Sequence, residues 1–544
     1  MDATESPPTP APQDAEQSAP TEAPKDQAVS FLVPAAGPEL VIGLVGPVGV
    51  ELDPIVEVLA EVLAEPGYRT KKVHLSKLIQ GFMDVTPDWD SVHGRIASLM
   101  TAGSKLREVT GRGDAAALLG IAEISRLREE ELDGEAERNA FILRSLKHPE
   151  EVQTLRSIYG KGFILISVYS PRDTRVSALA DRIGSDVYGN KHQARSLAEE
   201  LVARDEAEEG KAFGQDVKDA FPLADMFVDG RSGDALRIQL TRFLELFFGN
   251  RFHTPSSDEH GMYLARAAAL RSADLNRQVG AAIMNKGGDV IAVGCNDVPK
   301  AGGDQYWPGD PNDARDFKYG FDSSASQREF MLGELLGRLK TNKLLAETVK
   351  PGDITDLVRS LISGDKKDFL KGAAFMNLLE FGRSVHAEMA ALMSAVRLGL
   401  SVKGATLFCT TFPCHMCARH IVASGIDRVV YVEPYPKSRA KQLHQDSISV
   451  DPVWSSHAHV NFEPFNGVAP RQYIDIFEAG DRRKDKQGRA AVWRLSAGQP
   501  RFSRFLSTYL ELEEKVTGEA IPALRSKLVS LKNPIDPQPT QESI

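Results

Sequence analysis

Ala405-Thr406-Leu407-Phe408-Cys409-Thr410-Thr411-Phe412-Pro413-Cys414-His415-Met416-Cys417 carries both the architecture and the chemistry of this chain. Ala405–Cys409 is an apolar run of strand length. Pro413 fixes an entry turn, and His415–Ser424 continues at helical spacing. Arg428–Val432 then reads as a further strand. Strand, turn, helix and strand in that order predict an α/β unit with parallel strands covered by helices. Upstream, Ser384-Val385-His386-Ala387-Glu388-Met389 opens another predicted helix, Val385–Leu398. Two thiolates and one imidazole make a three-donor set suited to zinc. A tetrahedral site with three protein donors keeps one position open, which is the catalytic kind. Cys414 and Cys417 lie at a helix opening, where the macrodipole and free N–H groups favour thiolates. Glu388, two residues beyond His386, reaches the open position without ligating the metal.

Working outward, the same unit begins after Arg251-Phe252-His253-Thr254-Pro255, with a helix over Asp258–Ser272. Strands Val279–Met284 and Val290–Gly294 flank Asn285-Lys286-Gly287-Gly288-Asp289, a good hairpin turn. Residues 301–382 interrupt the pattern, rich first in Gly, Asp and aromatics and then helical over Gln327–Leu345. His459–Pro464 reads as a fifth strand. Helices over Phe502–Lys515 and Ile521–Leu531 follow, in an extension covering 481–544. Cys295 and Cys409 read as small buried strand residues.

The front of the chain has a different character. Residues 1–38 hold 8 of the 31 prolines, so they cannot bury enough apolar surface to order and read as a disordered tail. Leu40-Val41-Ile42-Gly43-Leu44-Val45 reads as a buried parallel strand. Gly46-Pro47-Val48-Gly49 follows, then a helix from Pro54 with Asp53 as its cap. Further strands fit Ala140–Leu143, Phe163–Tyr169 and Met226–Val228. Helices fit Pro149–Ile158, Asp173–Arg182, Lys191–Glu208 and Ser232–Phe247. Strand, glycine turn and helix open phosphate-binding α/β folds, so Gly43, Gly46 and Gly49 are the candidate nucleotide-binding remnant. A working phosphate loop needs Lys and Ser/Thr where Leu52 and Asp53 stand. Glu51 and Asp53 would repel a phosphate.

Composition bounds the function. The 544 residues suggest more than one unit, predicted at 39–250 and 254–480. With 75 acidic against 65 basic residues, the charge of −10 argues against a general nucleic-acid binder. Four cysteines do not make a disulfide scaffold in a chain of this size. No apolar run approaches membrane-spanning length, and no secretory signal is visible. A cytoplasmic enzyme is the expectation.

His-x-Glu followed by Pro-Cys-x-x-Cys is the signature of zinc nucleobase deaminases, and over Thr254–Gly480 the chain resembles the cytidine/deoxycytidylate deaminase superfamily. The resemblance implies a cytidine-deaminase-like α/β/α unit with a five-stranded mixed sheet. It also implies His386, Cys414 and Cys417 as Zn2+ ligands, Glu388 as proton shuttle and hydrolytic attack at C4 of cytosine. Gly294-Cys295-Asn296-Asp297-Val298-Pro299 is similar to the G-x-N-x-x-P segment of deoxycytidylate deaminases, which implies Asn296 as a nucleoside contact; a strand-end cap is the other reading. Ser272-Ala273-Asp274-Leu275-Asn276-Arg277-Gln278-Val279 and the stretch Ile421–Tyr431 resemble the same family. The 301–382 insert departs from its compact members. Arg277, Lys300, Arg315 and Lys437 are candidates to meet substrate phosphates.

Phe141–Glu151 of the front unit resembles a small-molecule kinase strand–loop in which Arg144 replaces a magnesium-holding Asp. It reads as a degenerate P-loop kinase-like domain with a sensing or structural role. The combined architecture resembles bacterial anti-phage deoxycytidine-triphosphate deaminases. That implies conversion of dCTP to dUTP and ammonia, depletion of the dCTP pool, a homo-oligomer and a phage-derived trigger. The alternatives are a dCMP deaminase of pyrimidine supply, an RNA-editing deaminase, and a non-catalytic scaffold stabilised by structural zinc.

Overall fold

The structure is a computed structural model. It describes residues 37–206, 208, 213–231, 233–345, 354–370, 373–377, 381–435, 438–452, 458–479, 483–484, 487–502 and 508–532. The N-terminal tail up to residue 36, Lys437 and the last residues, 533–544, lie outside that set.

Five strands build the first sheet: β1 (Leu40–Val45), β2 (Arg69–His74), β3 (Asn139–Arg144), β4 (Phe163–Tyr169) and β5 (Met226–Asp229). They pair in parallel in the order β5-β4-β1-β3-β2. Every residue of β1 is buried, because helices cover both faces of the sheet. One face packs Ile42, Leu44 and Ile166 against Ile55, Leu59 and Leu240 of the helices Asp53–Ala64 and Gly233–Phe247. The other face buries Val41, Phe141 and Leu165 with Ile121 and Leu155. Leu52 caps the first helix and Asp53 is its first residue. The carboxylate expected to cap instead binds Arg144 Nη1 at 2.5 Å. Helices Leu75–Met83, Val92–Thr110 and Ala115–Glu131 fill a span that the sequence pattern left unassigned.

The second sheet contains β6 (Gly280–Met284), β7 (Val290–Cys295), β8 (Thr406–Thr411), β9 (Arg428–Glu433), β10 (Ile448–Val450) and β11 (Val460–Pro464). Its order is β10-β11-β9-β8-β6-β7. β6 runs antiparallel to β7 and β8, and the remaining pairs are parallel. The sheet is mixed, as expected, but it has six strands rather than five. β10 spans three residues, too few to show a period.

The two sheets share apolar packing. Phe227 of β5 meets the Phe465 ring edge-on at 5.8 Å, and both belong to a cluster that contains Met262 and Phe408. Two residues of β12 (Gly467–Val468) pair antiparallel with Phe227 and Met226, so the first sheet is mixed at that edge. Glu259 fixes this junction. It completes a capping box with Ser256, accepts Val468 N–H at 2.9 Å and holds Arg242 at 2.8 Å.

The C-terminal helices also return to the first sheet. Arg128, almost wholly buried, places its guanidinium between Glu39 at 2.8 Å and Glu513 at 2.6 Å. Tyr509 donates to Glu39 and Tyr159 to Glu513. Removing one member of a buried ion cluster leaves a charge without compensation. Arg128→Met is therefore expected to lower unfolding stability by roughly 3–5 kcal/mol. Urea unfolding checks this, and an unchanged midpoint contradicts it.

Candidate active site

Two helices begin at the same place in space. His386 and Cys414 are the N-cap residues of helices Ala387–Arg397 and His415–Ser424, both in extended backbone conformation. Their side chains therefore project ahead of the helix axes, toward each other. Strands β8 and β6 set the spacing: β8 runs straight into the Phe412–Cys414 turn, and β6 lies between β8 and β7. The first helix lies close on β7. A Cβ added at Gly294 would stand 2.4 Å from Ala391 N and 2.5 Å from Ala387 O. Only glycine permits that approach.

The result is a compact donor group. His386 Nδ1 lies 3.2 Å from Cys414 Sγ and 3.5 Å from Cys417 Sγ. All three donor atoms fall within 4.8 Å of one another. Among the described residues, no fourth His, Cys, Asp or Glu joins them. Two soft sulfur donors and one imidazole fit Zn2+, and a three-donor set keeps a position for a reacting molecule. The electrostatics agree. The Cys417 thiol donates to Cys414 and, with His386 beside it, brings the Cys414 thiol down to about 4. That thiolate in turn holds the proton on Cys417, whose thiol is pushed up. It also raises His386 to about 9.

Glu388 stands beside this group and outside it. It is 4% exposed, and burial pushes its carboxyl up to about 7. The negative Cys414 adds to that rise and His386 opposes it. A carboxyl poised near neutrality both takes and gives a proton.

His386, Glu388 and Cys414 form part of the lining of a cavity of about 290 Å³. Val279, Asn296, Thr411, Phe412 and Tyr435 form further lining. Phe412 is braced by Tyr431 at 4.9 Å and Phe462 at 5.4 Å. Asn296 reaches the cavity, but its amide is engaged with the backbone. Oδ1 accepts Val279 N–H at 2.7 Å, and Nδ2 donates to Arg277 O at 2.8 Å. It thus shapes the 277–279 segment, and one lone pair and one N–H remain for a ligand. Arg277 also lines the cavity, with its guanidinium 5.4 Å from the Tyr435 ring.

The other cations singled out in the sequence do not converge here. Lys300 is held by Asp310 at 2.6 Å, and Arg315 is buried against Asp313 at 2.6 Å. Lys437 lies outside the described residues. The insert instead supplies Arg328, Asp316 and Asp322–Ser324 to the cavity, and Arg383 joins them from the segment just after it. Arg383 Nη1 binds Asp316 at 3.0 Å, and Asp322 caps helix Ser323–Thr341 by accepting Ser324 N–H at 2.9 Å. No spacing rule singled out these residues. Their one sequence signal was their location in, or directly after, a long insert between two site segments.

This geometry defines a three-donor site suited to zinc with a buried acid beside it. Residues 255–433 match the cytidine and deoxycytidylate deaminase zinc-binding region. The chain is 46% identical over 55 residues to the deoxycytidylate deaminase of Enterobacteria phage T4, covering 10% of this chain and 28% of that protein. It is 38% identical over 73 residues to the ComE operon protein 2 of Bacillus subtilis (strain 168), covering 13% and 39%. The dCMP deaminase of cyanophage S-TIM5, solved with dCMP and dUMP, aligns at 18% identity over 39% of this chain and all of that chain, with a TM-score of 0.22. The chain spans less than a third of the length of the phage T2 and T4 relatives it matches.

Zinc content tests the site. Cys417→Ala removes a donor, and Gly294→Val displaces the helix that carries His386. Both full-length proteins are expected to lose most of their zinc by plasma-emission spectrometry, whereas Glu388→Gln keeps it. Loss of zinc from the Glu388→Gln protein contradicts the assignment of Glu388 as a non-ligand.

Proposed function

We propose that the protein is a zinc-dependent hydrolase that deaminates free deoxycytidine nucleotides, with dCTP as the preferred substrate. The observation that carries this reading is the convergence of His386, Cys414 and Cys417, with the buried Glu388 outside that donor set and lining the same cavity as His386 and Cys414. The phage T2 and T4 relatives are deoxycytidylate deaminases, which supports a cytosine nucleotide as substrate.

Zinc held by His386, Cys414 and Cys417 supplies the Lewis acidity that activates water for hydrolysis. The chain's own residues do the rest. Glu388 takes a proton from the attacking water and passes it to N3 of cytosine. It then carries the second water proton to the departing amino nitrogen. The C4–N bond breaks, a C4–O bond forms, and ammonia leaves. Asn296 and Phe412 bound the space for the nucleoside.

The preference for a triphosphate rests on the guanidiniums around the cavity. Arg328 and Arg383 join Arg277 around the cavity, giving three guanidiniums suited to phosphate oxygens. Asp316 and Asp322 hold two of them in place before substrate arrives. The resemblance to anti-phage enzymes extends the reading to the cell, where activity during infection would deplete the dCTP pool.

Steady-state kinetics with dCTP, dCMP and a structured RNA test this reading. Glu388→Gln is expected to lower kcat by roughly 10²–10⁴-fold or more. Arg328→Ala and Arg383→Ala are each expected to raise KM for dCTP about tenfold or more, with a smaller effect on dCMP. Equal effects on both nucleotides would remove the triphosphate preference. Full activity in the Glu388→Gln protein would remove the deaminase reading.

A further inference from the structure

A second cavity, of about 480 Å³, opens where β1, β2 and β3 end, and it shares no residue with the site above. Crevices at the carboxyl ends of parallel strands are where open α/β sheets take ligands. The glycine turn after β1 lines this cavity, but its anion position is already filled from within. Val48 N–H donates to Asp205 Oδ2 at 2.7 Å, and Lys147 Nζ binds Asp205 Oδ1 at 2.8 Å and Gly46 O at 2.8 Å. The Asp205 carboxylate, wholly buried, thus takes donors that an incoming phosphate would otherwise use.

The remainder of the cavity is strongly cationic. Lys77, Arg95, Arg144 and Arg182 line it, together with Lys147 and Arg107. Its two lining acids, Asp205 and Glu151, are taken up by Lys147 and Arg107. Among the described residues, Lys77, Arg95 and Arg182 have no carboxylate partner. His74 at the end of β2 registers the same field. Burial, Lys77 and Arg144 hold its imidazole below the usual range. Such an excess, in a chain of net charge −10, concentrates an anionic ligand. At the rim Trp89 is 63% exposed, with the Arg95 guanidinium 5.8 Å from its ring. An exposed indole beside cations is a stacking surface for a nucleobase.

We propose that this cavity binds a nucleoside phosphate, with the phosphates on Lys77, Arg144 and Arg182 and the base against Trp89. The site binds without magnesium and transfers no phosphoryl group. The turn into its helix reads Glu51-Leu52-Asp53, with neither the lysine nor the hydroxyl of a working loop. Asp53, the nearby carboxylate, is engaged by Arg144.

Calorimetric titration of the full-length protein with dGTP tests the proposal, because dGTP has no cytosine ring for the deaminase site. Saturable binding is expected, unchanged by added magnesium. It should weaken at least tenfold in the Lys77→Glu/Arg182→Glu double variant and severalfold in Trp89→Ala, while both proteins retain deaminase activity as evidence of folding. Inorganic triphosphate, which has charge but no ring, should bind more weakly than dGTP. The proposal is overturned if dGTP shows no saturable binding, if binding requires magnesium, or if the charge-reversed protein binds dGTP as well as the wild type.

Discussion

Two helix starts held face to face are the constraint on which this site depends. A histidine and a cysteine at N-cap positions project beyond their helices, so neither needs a long or flexible side chain to reach the other. The free N–H groups and positive ends of both helices converge on the same point and favour thiolate character there. The strands beneath decide whether those ends meet. The order β9-β8-β6-β7 places one helix after β8 and lets the other lie directly on Gly294 of β7. A change in that backbone approach would separate the donors without touching any of them.

Burial of Glu388 follows from the same arrangement. It occupies the first turn of the helix that His386 caps, so it points into the space the donors enclose. A carboxylate next to a thiolate in a poorly solvated place is costly, and its raised affinity for a proton expresses that cost. The site therefore couples a donor set that prefers a metal with an acid that prefers a proton. That combination suits hydrolysis of an amidine, in which water must lose protons and the leaving nitrogen must gain one.

Much of this was legible from local pattern. His386, Glu388, Cys414 and Cys417 carry their meaning in spacing and in strand–helix context, and the structure brings them together. β1, β4 and the Asn285–Asp289 hairpin were visible because apolar runs and turn residues act over a few positions. What escaped depends on distance along the chain. Arg328 of the insert and Arg383 just after it look like ordinary helix and loop charges until the fold sets them over the cavity. The pairing of β12 with β5, and of Glu513 with Arg128, joins segments whose sequences say nothing of each other. The β10 edge strand is too short to show a period. Asn296 lies between these cases. Its position was visible, but whether its amide faced ligand or backbone was decided only by the 277–279 segment lying against it.

X-ray absorption at the zinc edge of the full-length protein tests the central claim most directly. The account predicts two sulfur donors and one imidazole nitrogen from the chain, with the same protein donors in the Glu388→Gln variant. A fourth donor from the protein, or loss of any of those three donors in that variant, would contradict it.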